Sequence, residues 1–239
     1  MAGGTCSFPK KIIYLFIYSE TEYYNKMLEL QMKYIPICNL DFYFVIFKTL
    51  PVDYIISGNV LNINGTESMV PGILEKTILA FKIINDLFDY DFIIRSTVAT
   101  IINFKETNNF INNLEDADYY IGPFREIKWV DDSCGVNKTH FGINYCVGVF
   151  ICLTKNLIKQ MITDKLDYSL VDDVSIGKYI NTLKNVNYID IDFLVNYSNN
   201  SIKLTWLSYS CHYNKEDRNK DVLLMNNLLR LLRLLRLKD

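Results

Sequence analysis

Three short, almost uninterrupted apolar runs are separated by segments with helical periodicity, and this alternation constrains the fold most. The runs occupy residues 11–18, 42–47 and 91–95. A strand that is apolar at successive positions, rather than at every second one, is expected in a sheet covered by helices on both faces. Strand, helix, strand, helix, strand is the order of an α/β domain. The sequence therefore predicts an α/β fold in which helices flank a mixed, mostly parallel central sheet.

The two helices between these runs are indicated by their first residues. Ser19 is expected to cap the first helix, with Glu22 at the spacing of a capping box. This helix is expected to reach about Tyr34 and to end before Pro36. Pro71 is expected to open the second helix. Its apolar residues follow one helical stripe, which consists of Ile73, Leu74, Ile78, Phe81, Ile84, Leu87 and Phe88.

The remaining elements are predicted from shorter patterns. Further strands are expected at residues 55–56, 60–63, 117–121, 145–153, 188–195 and 202–206. Further helices are expected at residues 106–114, 154–162 and 172–183, and from about residue 217 to the C-terminus. Thr154 is expected to cap the second of these helices. Gly148 lies inside an apolar strand, where a glycine indicates a bulge, close packing, or a backbone that lets a flat ring approach.

Composition limits the number of domains and the classes of partner. The 239 residues are 50% hydrophobic and carry no Pro-, Gly- or Ser-rich linker, so a single domain covering residues 1–239 is expected. A net charge of −2 gives no reason to expect a nucleic-acid partner. The six cysteines include no C-x-x-C pair, so a structural zinc site is not expected. Without a secretory signal or a transmembrane segment, a cytoplasmic location is predicted.

Two polar clusters are candidates for chemistry, and each has an ordinary structural alternative. Asp172 and Asp173 begin a predicted helix, where acids often serve as caps and are stabilised by the helix dipole. A carboxylate fixed there can also act as a general base. His212, Lys215 and Arg218 precede the last helix and form either a solvated charged turn or a clamp for a diphosphate. The fingerprints of P-loop and Rossmann nucleotide sites do not occur.

Four motifs occur in an order that resembles a known enzyme family. They are GILEKT at residues 72–77, DYDFIIR at residues 89–95, YCVG at residues 145–148 and DDVSIG at residues 172–177. This order is similar to that of the GT-A glycosyltransferases of the β-1,3-galactosyltransferase and Fringe type, and more closely to divergent members encoded by large DNA viruses. The family pattern is a helix with L-K-T, a [KR]-T-D-D-D strand end, Y-x-S-G-x-G and E-D-V-x-x-G.

The chain departs from this pattern where the family binds manganese. Arg95 and Ser96 match the [KR]-T positions, but Thr97, Val98 and Ala99 stand where the three aspartates would be. Carboxylate oxygens are the ligands that a hard divalent cation needs. The resemblance therefore implies a metal-independent site without a cofactor, and manganese stays an open alternative.

The resemblance also implies roles for individual residues. Asp173 takes the place of the proposed catalytic base, and Asp172 takes that of the Glu before it. Asp172 and Gly148 are expected to contact the acceptor or the sugar. The residues expected to bind the nucleotide sugar are Lys76, Arg95, Ser96, Thr97, His212, Lys215 and Arg218. The implied nucleotide-sugar half spans residues 11–125, the acceptor half spans residues 126–216, and an amphipathic helix spans residues 217–239.

The implied function is transfer of a sugar, with inversion, from a nucleotide-diphosphate sugar to a hydroxyl group of a glycan or a protein. UDP is the expected nucleotide. Two alternatives stay open: a GT-A-fold protein that holds a nucleotide or glycan without turnover, and an assembly protein with a vestigial site. The retained Asp173, Lys215 and Arg218 favour the enzyme, whereas the missing acidic triplet favours the binding protein.

The C-terminal segment predicts an amphipathic helix with a wide apolar arc. Leu224, Leu228, Leu231 and Leu235 form one narrow face, and arginines 230, 233 and 236 fall on the opposite side. Such a helix is expected to pack on its own domain or on a partner chain. The spacing also permits a homodimer, and the arginines permit contact with a membrane surface.

Overall fold

Helices cover both faces of the central sheet, which explains why its first strand, Ile12–Ile17, is buried at every position. The computed structural model describes residues 9–35, 40–191, 193–194, 207–211 and 217–236. The strands in this part of the chain are β1 (Ile12–Ile17), β2 (Asp41–Lys48), β3 (Tyr54–Ser57), β4 (Val60–Asn64), β5 (Phe92–Thr97), β6 (Thr100–Ile102), β7 (Tyr119–Gly122), β8 (Phe124–Glu126), β9 (Asn144–Cys146), β10 (Phe150–Thr154), β11 (Asn187–Asp190), β12 (Phe193–Leu194) and β13 (Ser208–Ser210). The α-helices in the same part are α1 (Glu22–Tyr34), α2 (Gly72–Leu87), α3 (Phe104–Asn112), α4 (Lys155–Thr163), α5 (Asp172–Ile180) and α6 (Arg218–Arg236).

The central sheet is mixed and mostly parallel. Among the described residues it has eight strands in the order β11-β7-β10-β5-β1-β2-β4-β3. Strand β10 runs antiparallel to β5 and β7, and β3 runs antiparallel to β4, whereas the other neighbouring strands are parallel. The predicted fold class is confirmed.

Alternate residues of β1 supply two separate cores on the two faces of the sheet. Tyr14 and Phe16 lie in the core that includes buried residues of α1, α3 and α6. Ile13 and Leu15 lie in the core that includes buried residues of α2, α4 and α5. Successive side chains of a strand point to opposite faces, so an apolar run without alternation supplies both cores at once.

The strand order reverses beside β1, and this reversal marks an edge of the sheet. The chain passes from β1 through α1 to β2 on one side, and it returns through α2 to β5 on the other side. In open α/β sheets, ligands bind outside the carboxyl ends of the strands at such a switch point. Here that edge is formed by Tyr18 after β1 and by Thr97 at the end of β5.

The strand predicted for residues 145–153 is wrong as a single element. The structure has β9 and β10 there, separated by a turn that the Phe150 N–H closes on the Val147 carbonyl at 3.2 Å. Strand β9 pairs with β8 in a two-stranded sheet, whereas β10 pairs with β5 and β7 in the central sheet. An unbroken apolar pattern gives no sign of the turn, because both strands are buried.

Several predicted boundaries also differ from the structure. Thr21, not Ser19, is the N-cap of α1, and its hydroxyl oxygen accepts from the Tyr24 N–H at 3.3 Å. Thr154 precedes α4 as predicted, but its hydroxyl donates to Asp118 at 3.0 Å instead of capping the helix. Leu87 is 48% exposed although it lies on the predicted stripe of α2. The strand predicted for 188–195 is interrupted after β11, and Pro36 and the strand predicted for 202–206 lie outside the described residues.

Helix α6 packs on its own domain. Met225, Leu228, Leu229 and Leu232 are buried in the core that also contains Met27 of α1. Packing on its own domain is one of the three outcomes that the sequence left open, beside pairing with a second chain and contact with a membrane surface. The contact places α6 beside α1. No helix in the described part of the chain is long and apolar enough to cross a membrane.

Candidate functional site

Arg95 is the centre of a buried polar cluster near the carboxyl end of β5. Its side chain is 3% exposed, and its guanidinium donates to an Asp172 carboxylate oxygen and to the Gly148 carbonyl oxygen. A buried guanidinium is tolerated only when it is paired and hydrogen-bonded. Arg95 therefore joins β5 to the start of α5 and to the turn between β9 and β10.

Asp172, the first residue of α5, completes the ion pair and reaches a third element. The Thr77 hydroxyl of α2 lies 3.4 Å from the same Asp172 oxygen that accepts from Arg95. Asp172 is itself buried. Strand β5 and helices α2 and α5 are thus connected through one carboxylate, which fixes the direction in which α5 begins.

Asp173 follows directly and faces a different set of partners. One of its carboxylate oxygens accepts from the Gly148 N–H at 3.0 Å, and the other accepts from the Val174 N–H at 2.9 Å. Burial, and then the neighbouring Asp172 charge, raise the pKa of Asp173 to about 6, against the opposing effect of Arg95 and the two N–H groups. Asp173 keeps a partly exposed surface. A reachable carboxylate with a pKa near neutrality is suited to accept a proton as a general base.

The helix start does not use either aspartate as its cap. Val171 is the N-cap of α5, and it makes no side-chain capping hydrogen bond. Asp172 and Asp173 occupy the first turn, where the helix dipole still favours their charge. The capping alternative for these residues is therefore wrong, and their side chains serve the cluster around Arg95 and Gly148.

Gly148 supplies two backbone groups to the cluster and leaves room for a guanidinium. A Cβ atom built on Gly148 would lie 2.7 Å from Arg95 Nη1 and 3.5 Å from Asp173 Oδ2. The first distance is shorter than a side chain can accommodate without displacing Arg95. Gly148 therefore permits close packing of a charged group, which is one of the alternatives that the sequence left open.

The end of β5 and the turn after it contain Thr97, Val98 and Ala99, the residues that stand in place of the acidic triplet in the sequence pattern that the chain resembles. The Ser96 hydroxyl donates to the Val149 carbonyl at 2.6 Å, and the Thr97 and Thr100 hydroxyls lie 3.1 Å apart. Val98 and Ala99 are each 1% exposed and pack in the core of the α1 face. Their side chains are directed away from solvent, so this turn presents hydroxyl and backbone groups at the sheet edge.

The side chains at this turn do not fit a hard divalent cation. Such an ion needs several oxygen ligands, and carboxylates supply them most often in protein sites. Among the described residues, no group of three or more His, Cys, Asp or Glu side chains is placed to hold a metal ion. The β5–β6 turn itself contributes only two threonine hydroxyls and main-chain groups.

Lys76 lies deeper than a ligand-contacting residue would. Its side chain is 0% exposed, and its ammonium group donates to the Tyr18 carbonyl at 2.8 Å and to a Glu67 carboxylate oxygen. Burial, opposed by Glu67, lowers the pKa of Lys76. Lys76 therefore contacts the carboxyl end of β1 from the side of the sheet that α2 covers. Glu67 was not singled out by the sequence, because nothing in its local pattern distinguishes it from a surface acid.

Of the three residues proposed to clamp a diphosphate, Arg218 is described by the structure. It begins α6, donates to a carboxylate oxygen of the buried Asp221 at 3.1 Å, and lies 6.0 Å from the centre of the Tyr23 ring. His212 and Lys215 lie outside the described residues. Arg218 is placed next to the first turn of α1, on the same edge of the sheet as Tyr18.

Comparison with known proteins adds the fold to this geometry. No protein-family model matches the chain, and no curated protein matches it. Among solved structures, the chain is similar to a glycosyltransferase involved in the glycosylation of the major capsid of PBCV-1. The identity is 12% and the TM-score 0.50, over 90% of this chain and 98% of that chain. The chain has a GT-A-like fold.

Two further solved structures are similar at lower scores. The galactosyltransferase LgtC in complex with donor and acceptor sugar analogues has 11% identity and a TM-score of 0.47, covering 90% of this chain and 95% of that chain. A putative glucose-1-phosphate thymidylyltransferase from Bacillus anthracis has 10% identity and a TM-score of 0.47, covering 92% and 95%. At such identities a structural likeness concerns the fold alone, so the activity is argued from the site.

Proposed function

We propose that the protein is a glycosyltransferase that transfers a sugar from a UDP-linked nucleotide-diphosphate sugar to a hydroxyl acceptor with inversion. One observation carries the proposal: residues from three separate sequence motifs meet in one hydrogen-bonded cluster. They are Arg95, Gly148, Asp172 and Asp173. The GT-A-like fold and the likeness to the PBCV-1 glycosyltransferase support the same reaction class.

The proposed step is a single displacement at the anomeric carbon of the donor sugar. The Asp173 carboxylate accepts the proton of the acceptor hydroxyl, and the acceptor oxygen forms a bond to the anomeric carbon from one face. The bond to the nucleoside diphosphate breaks on the opposite face, and the diphosphate leaves with the bonding electron pair. Arg95 acts indirectly, because its bonds to Asp172 and Gly148 hold the two segments that orient Asp173.

We further propose that the leaving diphosphate is stabilised without a metal ion. Positively charged side chains and N–H groups can stabilise a leaving diphosphate in place of a divalent cation. The groups proposed for this role are His212, Lys215, Arg218 and the hydroxyl of Thr97. The absence of carboxylates at the β5–β6 turn supports the proposal.

A second candidate function is favoured by that same turn. A GT-A-fold protein that has lost catalysis would keep the fold and the Arg95 cluster while replacing its acidic triplet with core residues. The burial of Val98 and Ala99 is the observation in favour of such a nucleotide- or glycan-binding protein.

Turnover of a panel of nucleotide sugars separates the two functions. Release of nucleoside diphosphate is measured for UDP- and GDP-linked donors, and release of CMP is measured for CMP-linked donors, each with either EDTA or manganese. The wild type is expected to turn over at least one donor in EDTA. Asp173→Asn is expected to lower that rate by about 10²–10⁴-fold with donor affinity retained. Asp86→Asn, the same change at an exposed site on α2, is the control.

Three other outcomes would contradict the proposal or part of it. Full turnover by Asp173→Asn removes the proposed base. Activity with manganese and none in EDTA contradicts metal independence. Binding of a donor without turnover under both conditions supports the binding protein instead of the enzyme.

A further inference from the structure

A fully buried lysine contacts the edge of the sheet at which a donor is proposed to bind. The Lys76 ammonium donates to the Tyr18 carbonyl at 2.8 Å and pairs with Glu67, and it lies 5.1 Å from the centre of the Phe47 ring. A buried ammonium is costly unless its donors are used. Tyr18 follows β1, Phe47 lies near the end of β2, and Glu67 follows β4. Lys76 therefore connects the carboxyl ends of neighbouring strands from the α2 side.

Glu67 extends this connection to the surface. Its carboxylate accepts from the Ser19 hydroxyl at 3.0 Å and from the Phe47 N–H at 3.3 Å, in addition to the Lys76 ammonium. The Glu67 side chain is 36% exposed. Lys76 and Glu67 therefore fix two consecutive residues after β1, Tyr18 through its carbonyl and Ser19 through its hydroxyl.

The segment fixed in this way, residues 18–21, is the loop between β1 and α1. Tyr18 is buried, and Ser19, Glu20 and Thr21 reach the surface. The loop leaves the sheet at the reversal of strand order, next to the end of β5, where ligands of open α/β sheets bind. On the α2 side it is held by the buried Lys76 ammonium and by the partly exposed Glu67 carboxylate, and Glu20 within the loop pairs with Lys48.

We propose that Lys76 is a positioning residue for the nucleotide of the donor, acting through the loop of residues 18–21. The proposal rests on the glycosyltransferase function proposed above and replaces direct contact of Lys76 with the donor. The nucleotide binds to the loop and to the end of β5, and Lys76 keeps the loop in the conformation that binds the nucleotide. Loss of Lys76 therefore weakens donor binding and leaves the proton transfer at Asp173 intact.

Two substitutions form a graded series. Lys76→Met keeps the length of the side chain but removes every donor, which frees the Tyr18 carbonyl and Glu67. Glu67→Gln keeps the shape of the side chain and an acceptor oxygen for the Phe47 N–H, and its amide group can donate to the Ser19 hydroxyl oxygen. It removes the negative charge beside Lys76. Ile78→Ala is the control, because Ile78 is buried in the same helix and its truncation lowers stability without touching the loop.

The first measurement needs no ligand. Hydrogen exchange of the peptide that contains residues 18–24 is followed in the ligand-free proteins after their folding is checked by circular dichroism. Exchange is expected to be fastest in Lys76→Met, intermediate in Glu67→Gln and unchanged in Ile78→Ala. Wild-type exchange in a folded Lys76→Met protein overturns the proposal, and so does equal acceleration in Ile78→Ala. If Lys76→Met does not fold, Glu67→Gln decides by the same comparison.

The second measurement concerns the donor, with UDP as the calorimetric probe and UDP-sugar turnover as the rate assay. Lys76→Met is expected to weaken UDP binding and to raise KM by about tenfold or more, with kcat at saturating donor nearly unchanged. A fall in kcat at unchanged KM overturns the proposal. If the wild type neither binds UDP nor turns over any donor of the nucleotide-sugar panel, the proposed function fails, and hydrogen exchange still decides whether Lys76 fixes the loop.

Discussion

At the scale of single residues, the cluster depends on a position that has no side chain. Gly148→Ala places a Cβ 2.7 Å from Arg95 Nη1, so the guanidinium must move and its hydrogen bond to the Gly148 carbonyl is lost. Overpacking of this kind costs about 1–3 kcal/mol of unfolding free energy. We expect the unfolding free energy, measured by thermal unfolding, to fall by this amount. The transfer rate is expected to fall at least tenfold, because displacing an orienting group has about this effect.

Gly58→Ala provides a control of similar cost away from the cluster. Gly58 has a φ of +56° and no atom within 4 Å of an added Cβ, so the substitution strains the backbone without a clash. Such strain costs about 1 kcal/mol or more. Equal losses of activity in Gly148→Ala and Gly58→Ala would show that stability, and not the position of Arg95, accounts for the effect.

The raised pKa of Asp173 predicts that this residue lowers stability at neutral pH. Between its ordinary pKa of 3.8 and the value of about 6, the folded protein holds a proton that the unfolded chain has already lost. Unfolding free energy therefore falls as pH rises through this window, by up to about 3 kcal/mol for a fully buried group and less for a partly exposed one. If Asp173 is the base, the transfer rate should rise over the same window.

Asp173→Asn removes this penalty while keeping an acceptor for the Gly148 N–H. We expect the variant to have a higher melting temperature than the wild type at pH 8, and we expect the difference to disappear near pH 4. Thermal unfolding at a series of pH values measures it. A variant that is less stable than the wild type at pH 8 contradicts the prediction and indicates a stabilising role for the charge at the start of α5.

At the scale of elements, the Arg95–Asp172 pair joins β5 to α5 across 77 positions of the sequence. Breaking a buried pair leaves one charge without compensation, which costs about 3–5 kcal/mol. Arg95→Met and Asp172→Asn are each expected to lower the unfolding free energy by about this amount, because each leaves one buried charge unpaired. The double variant should lose less than the sum, so a double-mutant cycle by denaturant unfolding measures the coupling.

An exposed pair serves as the comparison for this cycle. Lys26 and Glu22 lie one turn apart on α1 at 2.8 Å, and both side chains are largely exposed. Their coupling is expected to be about 0.3–0.5 kcal/mol. A coupling between Arg95 and Asp172 as small as this one would mean that the buried pair does not hold α5 to the sheet.

Elements that bury a complete face were predicted well from the sequence. Strand β1 and helix α2 were found close to their observed limits, because a full apolar run and a long helical stripe each leave a strong periodic signal. The break between β9 and β10 was missed, since it depends on hydrogen bonds that the turn makes to Arg95 and Asp173. Such contacts join residues far apart in the sequence and have no local period.

Only part of the candidate site was predicted, because contacts between residues far apart in the sequence leave no local pattern. The order of motifs singled out Arg95, Gly148, Asp172 and Asp173, and the structure brings these four together. The sequence did not show that Lys76 would be buried or that Glu67 would be its partner, because both facts depend on where α2 packs against the sheet. Side chains that position a site without contacting its ligand are therefore the residues that a single sequence predicts least well.

At the scale of the whole molecule, α6 completes the core on the α1 face of the sheet. Leu228 is buried among residues of this core, whereas Leu223 is 60% exposed on the same helix. Truncating a buried leucine removes packing and leaves a cavity, which costs about 2–5 kcal/mol, whereas an exposed leucine costs about 0.5 kcal/mol or less. Leu228→Ala should therefore lower the melting temperature strongly, and Leu223→Ala should leave it nearly unchanged.

The same two variants decide whether α6 also serves a dimer or a membrane surface. If the helix acts only within its own domain, light scattering gives the same mass for Leu223→Ala as for the wild type, and sedimentation with anionic liposomes gives the same binding. A lower mass or weaker liposome binding in Leu223→Ala assigns its exposed side to a second chain or to lipid. A nearly unchanged melting temperature in Leu228→Ala contradicts the core role, because a leucine with 1% exposure cannot lose its packing without cost.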